Sequence, residues 1–441
     1  MRKLKVAVIG AGSTYTPELI EGFIAKKGYL DADSFYLMDI DPYKLEIIGG
    51  LSKRMLEAAG YPARVILTRD LDEAVEGADY VLAQVRVGRL DARIRDEKIP
   101  LKYDLLGQET TGAGGFMKAL RTIPVIMDVA KRMERLAPDA WLINFSNPSG
   151  IIAEAVLNNT QIKMIGLCNA PINMLKEAEK LLPEGTGRFD YEFVGLNHLC
   201  WITKILADGR EILGDLLGSK LKTASLKNIP EMAHEEDLLK AMGGIPVSYL
   251  DYYSFREEEV KLCKKAEKTR GEVCKEIEAQ LLEMYKNTEL KEKPALLSER
   301  GGALYSTAAV SLVDAIENDK NEIHVVDVKN QGALAFMDKD DVVEIKCRVG
   351  RNGAAPVKVE TFDNYYIMGL MRAVKAYEKL TVKAGLTGDY TSALSALLVH
   401  PLVGDYHKAK AVLDEMLEAN RDYLPQFSKG GTANEKVYPR T

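Results

Sequence analysis

A thiol and an imidazole 30 positions apart are the side chains of this sequence best suited to hold an ion together. Cys168-Asn169-Ala170-Pro171 follows the apolar run Met164-Ile165-Gly166-Leu167, and Gly195-Leu196-Asn197-His198 closes the run Tyr191-Glu192-Phe193-Val194. Each run reads as a strand, so Cys168 and His198 can share one metal if the two strands lie side by side. Thiolate sulfur and neutral imidazole nitrogen suit zinc or iron by softness alone. Distant single ligands have no regular spacing signature. On spacing alone, a packed cysteine and a hydrogen-bonded core histidine are the simpler account, and the surrounding elements must decide.

Those elements read as a nucleotide-binding unit. Val6-Ala7-Val8-Ile9 is a continuous apolar run, as in a parallel strand covered on both faces. Gly10-Ala11-Gly12-Ser13 follows, and Pro17 to Ile24 opens a helical pattern. Glycines at such a turn let backbone approach a pyrophosphate at the helix N-terminus. Tyr15 replaces the third glycine of the usual fingerprint. Phe35-Tyr36-Leu37-Met38 reads as the second strand, with Asp39 at its end placed to bind an adenosine ribose, which favours NAD over NADP. The spacing of 29 residues (39 − 10) exceeds the usual ~20 and requires a longer first crossover.

The alternation continues: a helix from Pro42 to Ala59, a strand at Val65–Leu67, a helix from Leu71 to Gly77 and a strand at Tyr80–Val85. A long helix from Phe116 to Leu136 contains Pro124, expected to kink it. Strands at Trp141–Phe145 and Met164–Leu167 complete a Rossmann-type doubly wound α/β sheet. Ligands of such sheets collect beyond the carboxyl ends of the strands. Gly10, Gly12, Ser13, Asp39, Asn144, Asn147 and Cys168 all fall there.

Two loops carry further chemistry. Arg86, Arg89, Arg93 and Arg95 crowd together, and in a helix Arg86, Arg89 and Arg93 share a face suited to a phosphate or carboxylate. Gly107-Gln108-Glu109-Thr110-Thr111-Gly112-Ala113-Gly114-Gly115 is too glycine-rich to read as core. It is expected to be a mobile cover with Glu109 as its polar anchor.

At 441 residues the chain fits two domains, 1–167 binding NAD and 168–441 holding metal, substrate and the oligomer contacts. A net charge of −6 argues against a nucleic-acid partner. No signal peptide and no apolar run long enough for a membrane span are found. Five scattered cysteines do not make a disulfide framework, so a reducing cytoplasm is expected.

As a set, Gly10-x-Gly12-Ser13-x-Tyr15-Thr16-Pro17-Glu18, Gly107-Gln108-Glu109-Thr110, Asn147-Pro148, Cys168-Asn169-x-Pro171, Gly195-Leu196-Asn197-His198, Tyr249-Leu250-x-Tyr252-Tyr253 and Thr269-Arg270 resemble family 4 of the glycoside hydrolases. The motifs keep their order through essentially the whole chain, and the 6-phospho-β-glucosidase branch is the nearest match. That family departs from two-carboxylate glycoside hydrolysis by depending on NAD. The resemblance implies oxidation of the sugar at C3 by tightly held NAD⁺, removal of the C2 proton, elimination at C1, addition of water and re-reduction. It implies Cys168 and His198 as ligands of Mn²⁺ or another divalent ion, Tyr249 as the C2 base and Glu109 as a residue that shapes its basicity. It further implies Arg93, Asn147 and Asn169 at the substrate, Arg270 at its phosphate, and a homodimer or homotetramer. Substrates would be 6-phosphorylated β-glucosides such as cellobiose 6-phosphate. Asn169 stands where the α-glucosidase branch carries an acid, which leaves the leaving-group acid unassigned. Cys200 departs from the small residue usual after the histidine motif and reads as a packed core cysteine.

The second half reads as α+β, with the resemblance implying a domain like that of lactate and malate dehydrogenases. Helices are expected over Glu211–Lys240, Lys264–Tyr285 and Gly301–Ile316, and from Tyr365, Tyr390 and Tyr406. Strands are expected at Ile323–Val328 and Val342–Cys347. Two other readings compete. A hydroxy-acid dehydrogenase needs a histidine paired with a carboxylate, and an NAD-responsive binding protein would bind the nucleotide without turnover. Other specificities within the family (6-phospho-α-glucosides, α-galactosides) are alternatives to the β-glucosides.

Overall fold

The computed structural model of the chain describes residues 3–217, 235–301 and 305–428. Its centre is a nine-stranded sheet. Six parallel strands, β1 (Leu4–Ile9), β2 (Ala32–Met38), β3 (Arg64–Thr68), β4 (Tyr80–Ala83), β5 (Trp141–Asn144) and β6 (Lys163–Gly166), run in the order β3-β2-β1-β4-β5-β6. Val6, Ala7 and Val8 are wholly buried, as a strand with helices on both faces must be. The order reverses beside β1, which puts the crevice at the end of that strand, beyond Ile9.

A second, antiparallel sheet is built on β7 (Phe189–Leu196) and β8 (Leu199–Ala207), with β9 (Arg210–Glu211) and β10 (Ile245–Pro246) on β8. The chain then returns to the first sheet. β11 (Glu322–Lys329), β12 (Val342–Gly350) and β13 (Gly353–Pro356) add antiparallel strands beyond β6. Residue 167 thus follows the last parallel strand, while residues beyond 321 complete the same sheet. β7 packs against β12, which joins the two sheets.

Several expectations change. The strands before Cys168 and His198 do not lie side by side: β6 belongs to the first sheet and β7 to the second. Arg86 precedes the helix Arg89–Leu101, so it does not share a helical face with Arg93. The charged helix expected over Lys264–Tyr285 is two helices, Arg256–Lys265 and Arg270–Tyr285, because Thr269 and Glu272 form a capping box that starts a new one. Residues 218–234 of the expected Glu211–Lys240 helix lie outside the described residues; Leu213–Leu217 and Glu236–Met242 flank them as short helices. Residues 302–304 of the expected Gly301–Ile316 helix also lie outside them, and the helix is described over Tyr305–Glu317. The closing helices begin at Tyr365, Tyr390 and Tyr406 as expected.

The glycine-rich segment is core, not a mobile cover. The helix Gly112–Leu136 starts inside it, and residues Gln108 to Gly115 are buried. A methyl group on Gly107 would lie 1.8 Å from the Glu97 carbonyl oxygen, and one on Gly114 would lie 2.1 Å from that of Gln108. The glycines are there because backbones touch. Gly107→Ala is therefore expected to destabilise the chain by about 1–3 kcal/mol through overpacking, read as a lowered urea midpoint with an unchanged slope. An unchanged midpoint would mean that the contact relaxes freely.

Among the described residues no helix is long and apolar enough to cross a membrane.

Candidate active site

The turn after β1 is built by two glycines. Gly10 takes φ +86°, and a Cβ there would stand 2.9 Å from the Gln84 carbonyl oxygen. Gly12 donates its N–H to Asp39 Oδ2 at 2.8 Å, and a Cβ on it would run into the same carboxylate. Asp39 also accepts from the Asp41 N–H at 2.9 Å. Burial pushes its pKa up, and the two N–H donors pull against that shift. Ser13 lies inside the turn, its N–H donating to the Gly10 carbonyl and its hydroxyl accepting from the Tyr15 N–H. Tyr15, in the place of the third glycine, lies under the Arg300 guanidinium at 5.1 Å. At the end of β5 the Asn144 amide is used within its own turn, donating to the Ser146 carbonyl and accepting from the Ser146 N–H, both at 3.0 Å. Asn144 thus shapes the loop that carries Asn147, which precedes a cis bond to Pro148.

Cys168 and His198 meet although their strands do not pair. Cys168 lies just beyond the end of β6, and His198 sits on the two-residue tip between β7 and β8, where Leu196 pairs with Leu199. His198 takes φ +63°, a left-handed conformation uncommon outside glycine, which turns its ring back toward the first sheet. Cys168 Sγ and His198 Nε2 lie 3.5 Å apart, and both residues are buried. Bonds of about 2.3 Å to sulfur and about 2.05 Å to nitrogen, at angles between right and tetrahedral, separate the two donors by roughly 3.1–3.6 Å. The pair therefore fits two positions on one ion. Burial, and after it Lys118, lowers the His198 pKa to about 3, so the imidazole is in its neutral, ligating form. Burial, and then Glu344, raises the Cys168 thiol well above its ordinary value, so an ion must displace a proton to bind it. No group of three or more His, Cys, Asp or Glu side chains fit for a metal occurs among the described residues.

Tyr249 stands on the turn Ser248–Leu250 with its ring centroid 4.3 Å from that of His198. Burial raises its pKa; Cys168 and Glu109 push it the same way, against a hydrogen bond from Thr110 and the charge of Arg93. Glu109 therefore does not make Tyr249 easier to ionise. Its own contacts show what it does. Glu109 meets Arg93 and Lys118 at 2.8 Å each, and Arg86 as well. Burial opposes its ionisation, but the three cations outweigh burial and hold the carboxyl well below the usual range. Burial, with Arg86, lowers the Lys118 pKa to about 7 against the pull of Glu109.

The remaining expected residues each have their own setting. Arg93 is buried between Glu109 and Glu97, donating from Nε to Glu97 Oε1 at 2.7 Å. Asn147 and Asn169 are partly buried, Asn169 at the N-terminus of the helix Ala170–Glu179. Arg270 begins the helix Arg270–Tyr285 and donates to the Glu299 carbonyl at 2.8 Å. Cys200 is wholly buried, 3.9 Å from the sulfur of Met174. Lys118 belongs to none of the motifs above; the available signal is a lysine inside the apolar stretch Phe116-Met117-Lys118-Ala119-Leu120. The histidine–carboxylate pair of a hydroxy-acid dehydrogenase does not form at His198, whose Nδ1 has no hydrogen-bond partner among the described residues.

Sheet order and site together define an α/β protein of the dinucleotide-fold class. A malate dehydrogenase of Cryptosporidium parvum superposes with a TM-score of 0.51 at 16% identity, over 87% of this chain and all of that one. At that identity the likeness speaks for the fold alone. Residues 5–184 match the model of the family 4 glycosyl hydrolases, and residues 193–403 match that of the family 4 C-terminal domain. This chain belongs to family 4 of the glycosyl hydrolases. It is 41% identical over 440 residues to the 6-phospho-β-glucosidase of Escherichia coli K12, covering 97% of each. The solved 6-phospho-β-glucosidase of Thermotoga maritima, with manganese, NAD⁺ and glucose 6-phosphate, superposes with a TM-score of 0.85 at 35% identity, over 95% of this chain and 98% of that one.

Proposed function

We propose that this glycosyl hydrolase is a 6-phospho-β-glucosidase that splits 6-phosphorylated β-glucosides by a redox-elimination route using NAD⁺ and a divalent ion, Mn²⁺ being the first candidate. The observation that carries the reading is the 3.5 Å approach of Cys168 and His198 beside the Tyr249 ring in a family 4 chain. Gly10, Gly12, Ser13 and Asp39 form the cradle for the dinucleotide, with Asn144 holding the neighbouring loop. Cys168 and His198 hold the ion. When bound, NAD⁺ supplies reversible oxidation at sugar C3, and the ion supplies stabilisation of the negative charge that follows loss of the C2 proton.

Tyr249 takes that C2 proton. A sugar C2–H is too weak an acid to lose directly, but beside a C3 ketone the resulting carbanion is an enolate. Burial holds Tyr249 as a phenol in the ligand-free chain, so its activation requires positive charge nearby. Glu109 is a positioning residue: it keeps Arg86, Arg93 and Lys118 fixed at the edge of the substrate space. Arg93, Asn147 and Asn169 orient the sugar, and Arg270 faces its phosphate. The division into a nucleotide-binding 1–167 and a metal- and substrate-holding 168–441 follows from the same assignment; a homodimer or homotetramer is what the family resemblance implies.

Turnover of an aryl 6-phospho-β-glucoside in deuterated water with NAD⁺, Mn²⁺ and a reductant is the direct test. The product sugar is expected to carry deuterium at C2. Hydrolysis without NAD⁺, and with hydrogen retained at C2, would remove the redox route.

A further inference from the structure

The hairpin tip that carries His198 is tied down by a side chain with no part in the chemistry above. Asn197 donates from Nδ2 to Glu344 Oε1 at 3.1 Å. Glu344 lies on β12 directly opposite Asp327 on β11, and the two are 1% and 0% exposed. Asp327 in turn accepts from the Ser149 hydroxyl at 2.6 Å. Ser149 on the helix Ser149–Asn159 and the two carboxyl groups on the facing strands are thus buried polar groups, and the second carboxyl group holds the hairpin tip. Room for them exists only because two neighbours are glycine. A methyl on Gly166 would lie 2.7 Å from both Asp327 Oδ2 and Ser149 Oγ, and one on Gly150 would lie 2.9 Å from Asn197 Cβ.

One amide therefore anchors the tip that carries a ligand. It reaches His198 through the peptide bond that follows it. A group that holds a ligand in its direction without touching the ion tunes a metal site. We propose that Asn197, held in place by Glu344, is the outer shell of the Cys168–His198 pair, a positioning residue that sets its affinity for a divalent ion without touching the ion. The proposal rests on the reading of Cys168 and His198 as the metal pair.

Titration of the full-length, NAD⁺-loaded chain with Co²⁺, read by thiolate-to-cobalt charge-transfer absorption, separates the two. The wild type should show the band and Cys168→Ser should lose it. Asn197→Asp removes the donor to Glu344 and should bind Co²⁺ about 10–100-fold more weakly. Glu344→Ala should weaken binding about tenfold, while Glu344→Gln, which keeps a carbonyl-type acceptor for Asn197, should stay within about threefold of wild type. NAD⁺ affinity should hold within about twofold in all three, which general structural damage would not allow. Co²⁺ affinity within about threefold of wild type in Asn197→Asp, or a parallel loss of NAD⁺ affinity, overturns the outer-shell role while the metal pair stands. A wild type without the band, or one matched by Cys168→Ser, overturns the metal reading and this proposal with it.

Discussion

Tyr249→Phe is expected to lower kcat by about 10²–10⁴-fold, the usual contribution of a positioned acid or base. The substitution removes one oxygen and keeps the ring between His198 at 4.3 Å and Tyr252 at 6.1 Å, so packing is conserved. The Thr110 hydroxyl donates to Gln108 Oε1 at 3.0 Å, so no buried donor is stranded. NAD⁺ and Mn²⁺ should therefore bind as in the wild type. Deuterium incorporation at C2 should fall in step with kcat, because both depend on the same proton transfer. A loss of less than about fivefold would mean that another group takes the proton, since the phenol would then contribute under about 1 kcal/mol.

Glu109→Gln is expected to cost about 3–5 kcal/mol of stability at neutral pH. It leaves the Arg86 and Arg93 guanidinium groups and the Lys118 amine around a neutral amide, and breaking a buried ion pair by removing one partner strands the other charge. Glu109 is 7% exposed and Lys118 4%, so water cannot take over the lost role. The pH dependence has a definite sign. The folded-state pKa of Glu109 lies well below its ordinary value of 4.5, so its contribution is complete above that value and fades as pH falls through the folded pKa. Urea midpoints of wild type and Glu109→Gln should be far apart at pH 7 and converge under acid conditions. Equal midpoints at pH 7 would show that Arg86, Arg93 and Lys118 find other partners. Activity should also fall, because Arg93 and Lys118 lose the anchor that holds them beside Tyr249.

The two effects have different physical origins, and kinetics can separate them. On the proposed route, loss of the phenol removes the group that meets the reacting C2–H and should leave stability alone. Loss of the carboxylate loosens the cationic wall and should appear in both KM and kcat.

Much of the candidate site was legible because its residues fall at the ends of elements with clear patterns. Apolar runs at Val6–Ile9 and Met164–Leu167 announce buried parallel strands, and the groups that follow them, Gly10 and Cys168, are then forced to the carboxyl edge. Glycine-rich segments are weaker evidence, as the stretch from Gly107 to Gly115 illustrates. Nine residues with four glycines suit a mobile loop and a tight backbone crossing equally well. Only the 1.8 Å approach of a Gly107 methyl to the Glu97 carbonyl distinguishes them.

The chain's own order of residues determined the α/β alternation, the glycine turn with Asp39, the helix starts at Tyr365, Tyr390 and Tyr406, and the pairing of one thiol with one imidazole as a chemical possibility. Periodicity and cap chemistry are local, so they survive in one dimension. Tertiary structure decided how that pair meets: from two different sheets, through a left-handed residue at a hairpin tip. It also decided that Glu109 meets three basic side chains, and that Glu344 holds the Asn197 amide. Burial and long-range charge are properties of the packed molecule, since they depend on neighbours as far apart in the chain as Asn197 and Glu344.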